Sequence, residues 1–171
     1  MIAKTYILKD LKAIDSLYKK ARTPKQSLFY SKLAIIELCG WIEMTMDEIV
    51  LRCAKRHIKE TGNYNWLEKE LVGRIYGFDY KSHFRKMLLG ILGMSCVEIV
   101  EARVDQTKFL KMKSELAALK GIRDPAAHTH LKGATTSLDA PSVTLNRFNQ
   151  IYEGLIEIDA QLREYKPKRS F

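Results

Sequence analysis

The chain has 171 residues, of which 46% are hydrophobic and 29% charged, and this composition excludes a disordered or fibrous protein in favour of a globular one. Its formal net charge of +9 favours an acidic partner, such as nucleic acid or an anionic membrane surface. The alternative is that surface lysines only keep the protein soluble.

Cysteine usage and the apolar runs indicate a cellular location. Cys39, Cys53 and Cys96 lie within apolar helical patterns, and their odd number favours reduced core thiols in a cytosolic compartment. No Cys-x-x-Cys pair is present, and we expect neither a metal nor another cofactor. The N-terminus turns polar too early for a signal peptide, and the most apolar run, 87–97, is shorter than the about 20 residues that cross a bilayer. We therefore expect one cytoplasmic domain over residues 1–171 that does not enter a membrane.

Helical periodicity begins near the N-terminus and continues in a long second segment. The spacing of apolar residues predicts a helix over about 4–21, which Thr23-Pro24 ends. The segment over about 25–59 is apolar nearly all round in its first half, so we expect it at the centre of the fold or across a subunit interface. Glu37 and Glu43 lie within this run, and each either has a cationic partner or reaches solvent at its edge.

The rest of the chain is also predicted to be helical. Thr61-Gly62-Asn63 predicts a loop, followed by a short helix over about 66–76. An apolar segment over about 80–100 contains Gly90 and Gly93, which indicate a kink or a close helix–helix contact. Further helices are expected over about 106–120, 124–131 and 142–165, with a polar loop at 133–140 and a basic tail at 166–171. No segment is typical of a strand, so the predicted class is all-α.

The clearest functional signal is the stretch Arg123-Asp124-Pro125-Ala126-Ala127-His128. Just upstream, Gly121 predicts a helix end with left-handed backbone, and Asp124 with Pro125 predicts the N-cap and first residue of the next helix. Arg123 would then lie in a bend, and His128 would fall about one turn into the second helix. A guanidinium, an imidazole and the free N–H groups of a helix N-terminus would share one space suited to a phosphate.

The same Arg-to-His spacing occurs a second time in the chain, from Arg52 to His57. That copy lies mid-helix, without a polar residue after the Arg and without a bend or cap, so we interpret it as a solvated helix face. The lysines that flank the later copy either contact phosphates or form a solvated face. They are Lys108, Lys111, Lys113, Lys120 and Lys132.

The later copy resembles the signature of the HEPN superfamily of all-α domains. That signature is an Arg, a polar residue directly after it, and a His four to six positions after the Arg, commonly preceded by a small residue. The segment Leu38-Cys39-Gly40-Trp41-Ile42-Glu43 resembles the early HEPN core helix, which often carries an acid at such a place. The resemblance covers most of the chain and implies a helical bundle of the HEPN type with a long central helix.

The resemblance also implies metal-independent RNA cleavage by a homodimer, often within toxin–antitoxin or phage-defence systems. RNA, a second copy of the chain and an antitoxin or other defence-system protein are the expected partners. One toxin branch carries a Tyr two residues after the His, which a partner nucleotidyltransferase modifies. His130 stands at that position here, so the chain departs from that branch. Some superfamily members keep the fold without nuclease activity, so the alternative is a non-catalytic module that binds nucleic acid or a partner protein.

The residue chemistry is compatible with cleavage by attack of a ribose 2′-OH on its own phosphodiester. A histidine suits either proton transfer because its unperturbed pKa lies near the operating pH, which makes His128 the acid–base candidate. Arg123 offers paired N–H donors to the charge that develops on the phosphoryl oxygens. The structural alternative for Arg123 and His128 is a pair that only stabilises the bend. One His per chain does not serve readily as both base and acid, so a two-fold dimer is expected to bring two sets together.

Three further residues are assigned supporting roles. Asp124 caps the helix, orients Arg123, or does both. Glu43, rather than Glu37, is predicted to lie near the Arg123 side chain and to hold it, because the face around Glu43 is mostly apolar. His130 is either a surface residue or a contact to RNA. The pattern assigns no role to His57 or His83.

Overall fold

The computed structural model describes residues 2–128 and 138–165, without the side chains of Pro125, Ala127 and His128. Across these residues the regular structure is helical and no β-strand occurs, which confirms the predicted all-α class. None of the helices in this part of the chain combines the length and apolarity that a membrane crossing needs. The predictions for His130, Lys132, most of the polar loop and the basic tail lie outside the described residues.

The first two helices form as their apolar spacing predicts. Helix α1 spans Thr5–Lys19 and buries one face, while α2 spans Pro24–His57 and is 34 residues long. The start of α2 is defined by Thr23, whose side-chain oxygen accepts a hydrogen bond from the Gln26 N–H at 3.2 Å, and by a proline at the first helical position. Helix α2 packs against α1 and against three helices that follow later in the chain.

The predicted loop at Thr61-Gly62-Asn63 is wrong, because these residues form the first turn of a helix. Helix α3 spans Thr61–Trp66 and continues into a π-helical turn over Leu67–Leu71 and a 3₁₀ turn over Val72–Arg74. Gly and Asn disfavour a helix mainly when they lie in its interior, whereas here they lie in the first turn.

The apolar segment after it is divided at a glycine, as predicted. A π-helical turn over Tyr80–Phe84 leads into α4, Arg85–Leu92, and α5 spans Met94–Arg103. Gly93 separates α4 from α5 with φ +75°, a backbone conformation that favours glycine. A Cβ on Gly90 would lie 2.5 Å from the Leu71 side chain, so Gly90 marks a close contact.

Helix α6 spans Gln106–His128 without interruption, so the predicted bend at Gly121 is wrong. Gly121 does not have positive φ, and Asp124 lies inside the helix rather than at its start. The reason is a buried stripe that continues past Gly121, formed by Met112, Leu116, Leu119 and Ala126. Pro125 carries no N–H, so one intrahelical hydrogen bond to the Gly121 carbonyl is lost, and packing of α6 on α2 and α7 outweighs that loss.

Helix α7, Pro141–Glu164, completes a core made mainly by α1, α2, α6 and α7. Trp41 of α2 packs edge-on against Phe148 of α7, with ring centroids 5.0 Å apart. The Trp41 indole N–H also donates to the Ala3 carbonyl at 3.1 Å, which ties the residues before α1 to the same place. These contacts hold α7 and the residues before α1 against α2, and α6, which carries the motif, packs on both α2 and α7.

We expect Gly154→Ala and Gly121→Ala to change stability in opposite directions. A Cβ on Gly154 would lie 2.5 Å from the Met112 Cβ across the α6–α7 contact, so alanine should destabilise the fold by about 1–3 kcal/mol. Gly121 has open space around it in a continuous helix, so alanine should stabilise by about 0.5–1 kcal/mol. Urea unfolding measures both changes, and destabilisation by Gly121→Ala would contradict an uninterrupted α6.

Candidate functional site

The Arg123 side chain on α6 is held by two carboxylates. Its Nη1 donates to the Asp124 Oδ1 at 3.1 Å, and its Nη2 lies 4.0 Å from the Glu43 Oε1 on α2. The predicted proximity of Glu43 to Arg123 is therefore confirmed, whereas Glu37 is exposed. Two roles were predicted for Asp124. Its contact with Arg123 fits the orienting role. The capping role is wrong, because α6 begins at Gln106 and Asp124 lies inside it.

Arg123 faces a surface cleft of about 250 Å³. The cleft lies between α2, α6 and the turn that precedes α4. Its lining combines residues from all three elements, namely Glu43, Tyr76, Gly77, Phe78, Asp79, His83, Lys120, Arg123 and Asp124. Arginine, lysine and histidine side chains therefore meet three carboxylates in one concave surface.

His83 belongs to this cleft and is held in one orientation by the turn before it. The backbone N–H of Asp79 donates to the His83 Nδ1 at 3.1 Å, so the neutral ring carries its proton on Nε2. Gly77 has φ +117°, and a Cβ there would lie 2.8 Å from the His83 ring, so only glycine fits this turn without displacement. The turn thus fixes an imidazole in the cleft that Arg123 also lines.

Asp79 stabilises the same turn as the N-cap of the helix that carries His83. Its Oδ1 accepts hydrogen bonds from the Ser82 N–H at 2.7 Å and from the Ser82 hydroxyl at 2.6 Å. These hydrogen bonds, with the nearby charges of Lys120 and His83, hold the pKa of Asp79 below its ordinary value despite partial burial. In the sequence this cap is visible as Asp79 three residues before Ser82 at the start of a helix, but the patterns considered above did not assign it a role.

The face of α2 that approaches Arg123 contains three titratable groups spaced one turn apart. Burial, and then the charge of Glu43, raises the pKa of Asp47 to about 6. Burial raises the pKa of the Cys39 thiol to about 12, and the charge of Arg123 only partly opposes this effect. Cys39 is therefore an inert core thiol, whereas Asp47 is a carboxylate that is partly desolvated next to another acid.

The helix N-terminus predicted around Arg123 does not exist, because α6 runs through this region without a start. Backbone N–H groups there are used within the helix and are not available to a phosphate. Positions 123 and 128 are separated by about 140° around a regular helix, since each residue adds about 100°. The His128 side chain and all of His130 lie outside the described part of the chain, so their predicted roles stay predictions.

A second, larger cleft of about 330 Å³ lies on the other side of Asp79. Its centre is a network in which Arg85 donates twice to Glu101, at 2.7 and 3.1 Å, and Tyr80 donates to Glu101 at 2.7 Å. These three hydrogen bonds join α5 to the start of α4 and to the π-helical turn before it, and so support the turn that holds His83. This network is structural, because its polar groups are used by one another.

The lysines that flank the motif in sequence are distributed over different environments. Lys120 lies at the cleft and Lys111 is exposed. Lys108 is paired with Glu157 at 2.7 Å, and the Lys113 ammonium lies 4.4 Å from the centre of the Phe109 ring. Among the described lysines of this group, Lys120 is thus the one that the fold brings to the site.

The interpretation of Arg52 and His57 as a solvated helix face is wrong. Arg52 Nη2 lies 3.5 Å from the Oδ1 of Asp159, a buried carboxylate on α7 that also accepts from Arg163. The His57 ring lies 6.2 Å from the Tyr165 ring, and burial, with the nearby positive charges, lowers the pKa of His57. The pair lies at the contact of α2 with α7, which sequence spacing alone does not indicate.

Compared with protein-family models, curated proteins and solved structures, the chain gives no match. The resemblance to HEPN domains therefore rests on the motif and on helix order.

Asp47→Asn should stabilise the protein at neutral pH. The pKa of this carboxyl is raised from 3.8 to about 6 in the folded state, so the folded protein binds the proton more tightly than the unfolded chain. Wild type therefore loses stability as pH rises from about 4 through about 6, and the neutral amide avoids that loss. Because solvent screens a half-exposed carboxylate, we expect a gain of about 1 kcal/mol at pH 8 that disappears near pH 4.

Urea unfolding at both pH values measures this effect. Asp10→Asn, at an exposed position on α1, is the matched control and should change stability by less than about 0.5 kcal/mol at either pH. If Asp47→Asn raised the free energy of unfolding equally at pH 4 and pH 8, the carboxylate charge would not be the cause of the gain.

Proposed function

We propose that this protein is a metal-independent RNA endonuclease that cleaves by 2′-OH transesterification with Arg123 and His128. The observation that carries the proposal is the Arg123 guanidinium, oriented by Asp124 and Glu43 in a cleft that also contains the His83 imidazole and Lys120. A planar cation with fixed orientation suits a phosphodiester, because its N–H donors match the phosphoryl oxygens. The net charge of +9 would attract RNA to the protein as a whole.

In the proposed reaction, a base removes the proton of the ribose 2′-OH and the 2′-oxygen attacks the adjacent phosphorus. The bond from phosphorus to the 5′-oxygen breaks, and an acid protonates that oxygen as it leaves. The products carry a 2′,3′-cyclic phosphate and a 5′-OH. Arg123 donates to the phosphoryl oxygens as their charge grows, which stabilises the transition state.

Two arrangements would provide both the base and the acid. In the first, a two-fold dimer brings together His128 from both protomers. In the second, His83 supplies one proton transfer and His128 the other within a single protomer, and the presence of His83 in the cleft that Arg123 lines favours this arrangement. Separate substitution of the two histidines distinguishes them, because only the second requires His83 for chemistry.

The HEPN resemblance extends the proposal to the biological role. We propose a HEPN-type bundle with α2 as its long central helix, acting as a toxin or phage-defence nuclease in the cytoplasm. An antitoxin or another defence-system protein would then restrain the activity, since an unrestrained RNA endonuclease damages its own cell. His130 stands at the position of the modified Tyr in one branch, so the proposal does not include control by Tyr modification.

The alternative function is a non-catalytic helical module that binds a partner protein or nucleic acid. The observation that favours it is the charge of the cleft, where Glu43, Asp79 and Asp124 outnumber Lys120 and Arg123. Carboxylates repel a polyanion, whereas they would suit a basic segment of a partner protein. The two functions differ in whether pure protein cleaves RNA.

Arg123→Ala and His128→Ala should each abolish RNA cleavage by pure protein in EDTA. Loss of a proton-transfer group should lower kcat by about 10²–10⁴-fold, with a smaller effect on KM. Arg123→Lys should also fail, because lysine keeps the charge but lacks the paired donors. Cleavage of cellular RNA, with analysis of the product ends for cyclic phosphate, measures these effects.

Arg74→Ala is the matched control, because Arg74 is 71% exposed at its side chain and pairs only with Glu70 of the same helical segment among the described residues. It should leave cleavage unchanged. Wild-type protein that requires Mg²⁺, or His128→Ala protein that cleaves as fast as wild type, would refute the assignment. His83→Ala tests the single-protomer arrangement, and full activity in that variant would leave only the dimer arrangement.

We further propose that the protein is a homodimer in which α2 of one protomer packs against α2 of its partner. One face of α2 leaves four large apolar side chains exposed at helical spacing, and these are Phe29, Leu33, Ile36 and Met44. Gly40 lies on the same stripe with open space around it, so another helix can approach closely there. A stripe of this length exposed to water is typical of an interaction surface.

Charge complementarity favours an antiparallel second copy as the occupant of this stripe. Lys25 and Lys32 lie towards its first end, whereas Glu43 and Asp47 lie towards its second end. In an antiparallel pair about a two-fold axis, each basic end faces the acidic end of the partner. Because Glu43 also contacts Arg123, this arrangement would bring the two Arg123 clefts to the same interface.

Ile36→Glu should convert the dimer to a monomer, because it places like charges near the two-fold axis. Wild type should be dimeric in light scattering at tens of micromolar. That concentration lies above a dissociation constant near 1 μM, which corresponds to a binding free energy of about −8 kcal/mol. The control is Ile156→Glu on α7, since Ile36 and Ile156 are both 39% exposed, and it should stay dimeric. A monomeric wild type at that concentration, with all variants folded by circular dichroism, would refute the proposed dimer.

A further inference from the structure

We propose that Tyr76 is a stacking platform for one unpaired nucleobase beside the Arg123 cleft, so that the ligand is a single-stranded nucleic acid. This inference rests on the proposed function for its substrate class, and it adds a residue that binds the base, a role that the proposed chemistry does not assign. It follows from the exposure of Tyr76, from the rigidity of its turn and from the neighbouring groups.

Tyr76 is the most exposed of the large hydrophobic side chains in the described residues, at 82%. It also lines the cleft that holds Arg123, His83 and Lys120. An aromatic ring at the edge of a cleft with cationic groups is the arrangement by which proteins bind single strands, with bases on aromatic rings and phosphates on cations. The exposed ring gives the cleft an apolar contact that Arg123 and Lys120 do not provide.

The turn that carries Tyr76 is held on both sides. Before it, the Ile75 N–H donates to the Val72 carbonyl at 3.2 Å. After it, Gly77 adopts φ +117° against the His83 ring, and Phe78 is 4% exposed in the core. The backbone of Tyr76 is therefore fixed before a ligand arrives, which lowers the entropy that binding would otherwise cost.

A base within a duplex has neighbours on both faces and does not offer a face to a protein ring, whereas an unpaired base does. Stacking of an unpaired base on Tyr76 would place the phosphate of that nucleotide near Arg123 and Lys120. The aromatic contact is independent of charge, so it also offsets part of the repulsion from Glu43, Asp79 and Asp124. Single-stranded segments should therefore bind in preference to a duplex of the same sequence.

The test measures binding of a 2′-O-methyl RNA oligonucleotide, which the proposed transesterification cannot cleave because its 2′-oxygen carries no proton. The oligonucleotide contains 2-aminopurine, whose fluorescence is quenched when it stacks. Tyr76→Ala should weaken binding about tenfold and remove the quenching, within the range measured for single base–aromatic contacts. Tyr76→Phe and Tyr76→Trp keep a ring and should stay within about twofold of wild type.

Tyr6→Ala is the matched control, because Tyr6 is an exposed tyrosine on α1 that does not line the cleft, and it should bind like wild type. A duplex of the same sequence should bind more weakly than the single strand, and Tyr76→Ala should not change that binding. Equal binding of wild type and Tyr76→Ala to the single strand would overturn the inference, as would a loss that Tyr76→Phe and Tyr76→Trp do not restore.

The binding test of Tyr76 and the cleavage test of the proposed nuclease activity can fail independently. If wild type cleaves RNA in EDTA while Tyr76→Ala binds the uncleavable strand normally, the platform is refuted and the nuclease assignment stands. If wild type never cleaves but binding depends on the Tyr76 ring, the platform stands and the protein is a single-strand binding module. If wild type does not bind the single strand at all, the platform is refuted as well.

Discussion

Packing of α6 against α7 and α2 is the constraint on which the candidate site depends. One close contact is at Gly154, where the absence of a side chain lets α7 approach the Met112 side chain of α6. The buried stripe of α6 continues to Ala126, past a glycine and a proline that in isolation favour a helix end. Burial of this stripe keeps the last turns helical and directs the Arg123 side chain towards α2.

This placement of Arg123 explains the distribution of charge around it. A guanidinium that is partly desolvated needs carboxylate partners, and Asp124 and Glu43 provide them from the same helix and from α2. The acids in turn affect one another, because Glu43 contributes to the raised pKa of Asp47 one turn further along α2. Arg123 is therefore oriented by the protein before any anion binds, at the cost of a cleft with more carboxylates than arginine and lysine side chains.

The turn before α4 completes the cleft from a distant part of the chain. Gly77 and the Asp79 cap hold His83 in place, while the Arg85–Glu101 ion pair ties the start of α4 to α5. The turn is thus fixed by its own hydrogen bonds and not by the motif on α6. An imidazole, an exposed aromatic ring and a guanidinium come together because two independently stabilised elements pack against the same helix, α2.

The sequence by itself determined the all-α class, the bounds of α1, α2 and α7 to within a few residues, the division at Gly93 and the partnership of Glu43 with Arg123. Each of these follows from local periodicity, from a glycine or from an acid on an apolar face. Only the tertiary structure decided that α6 is continuous, that Arg52 pairs with Asp159, and that His83 and Tyr76 lie beside Arg123. These features depend on contacts between residues up to about a hundred positions apart, for which local propensity carries no information.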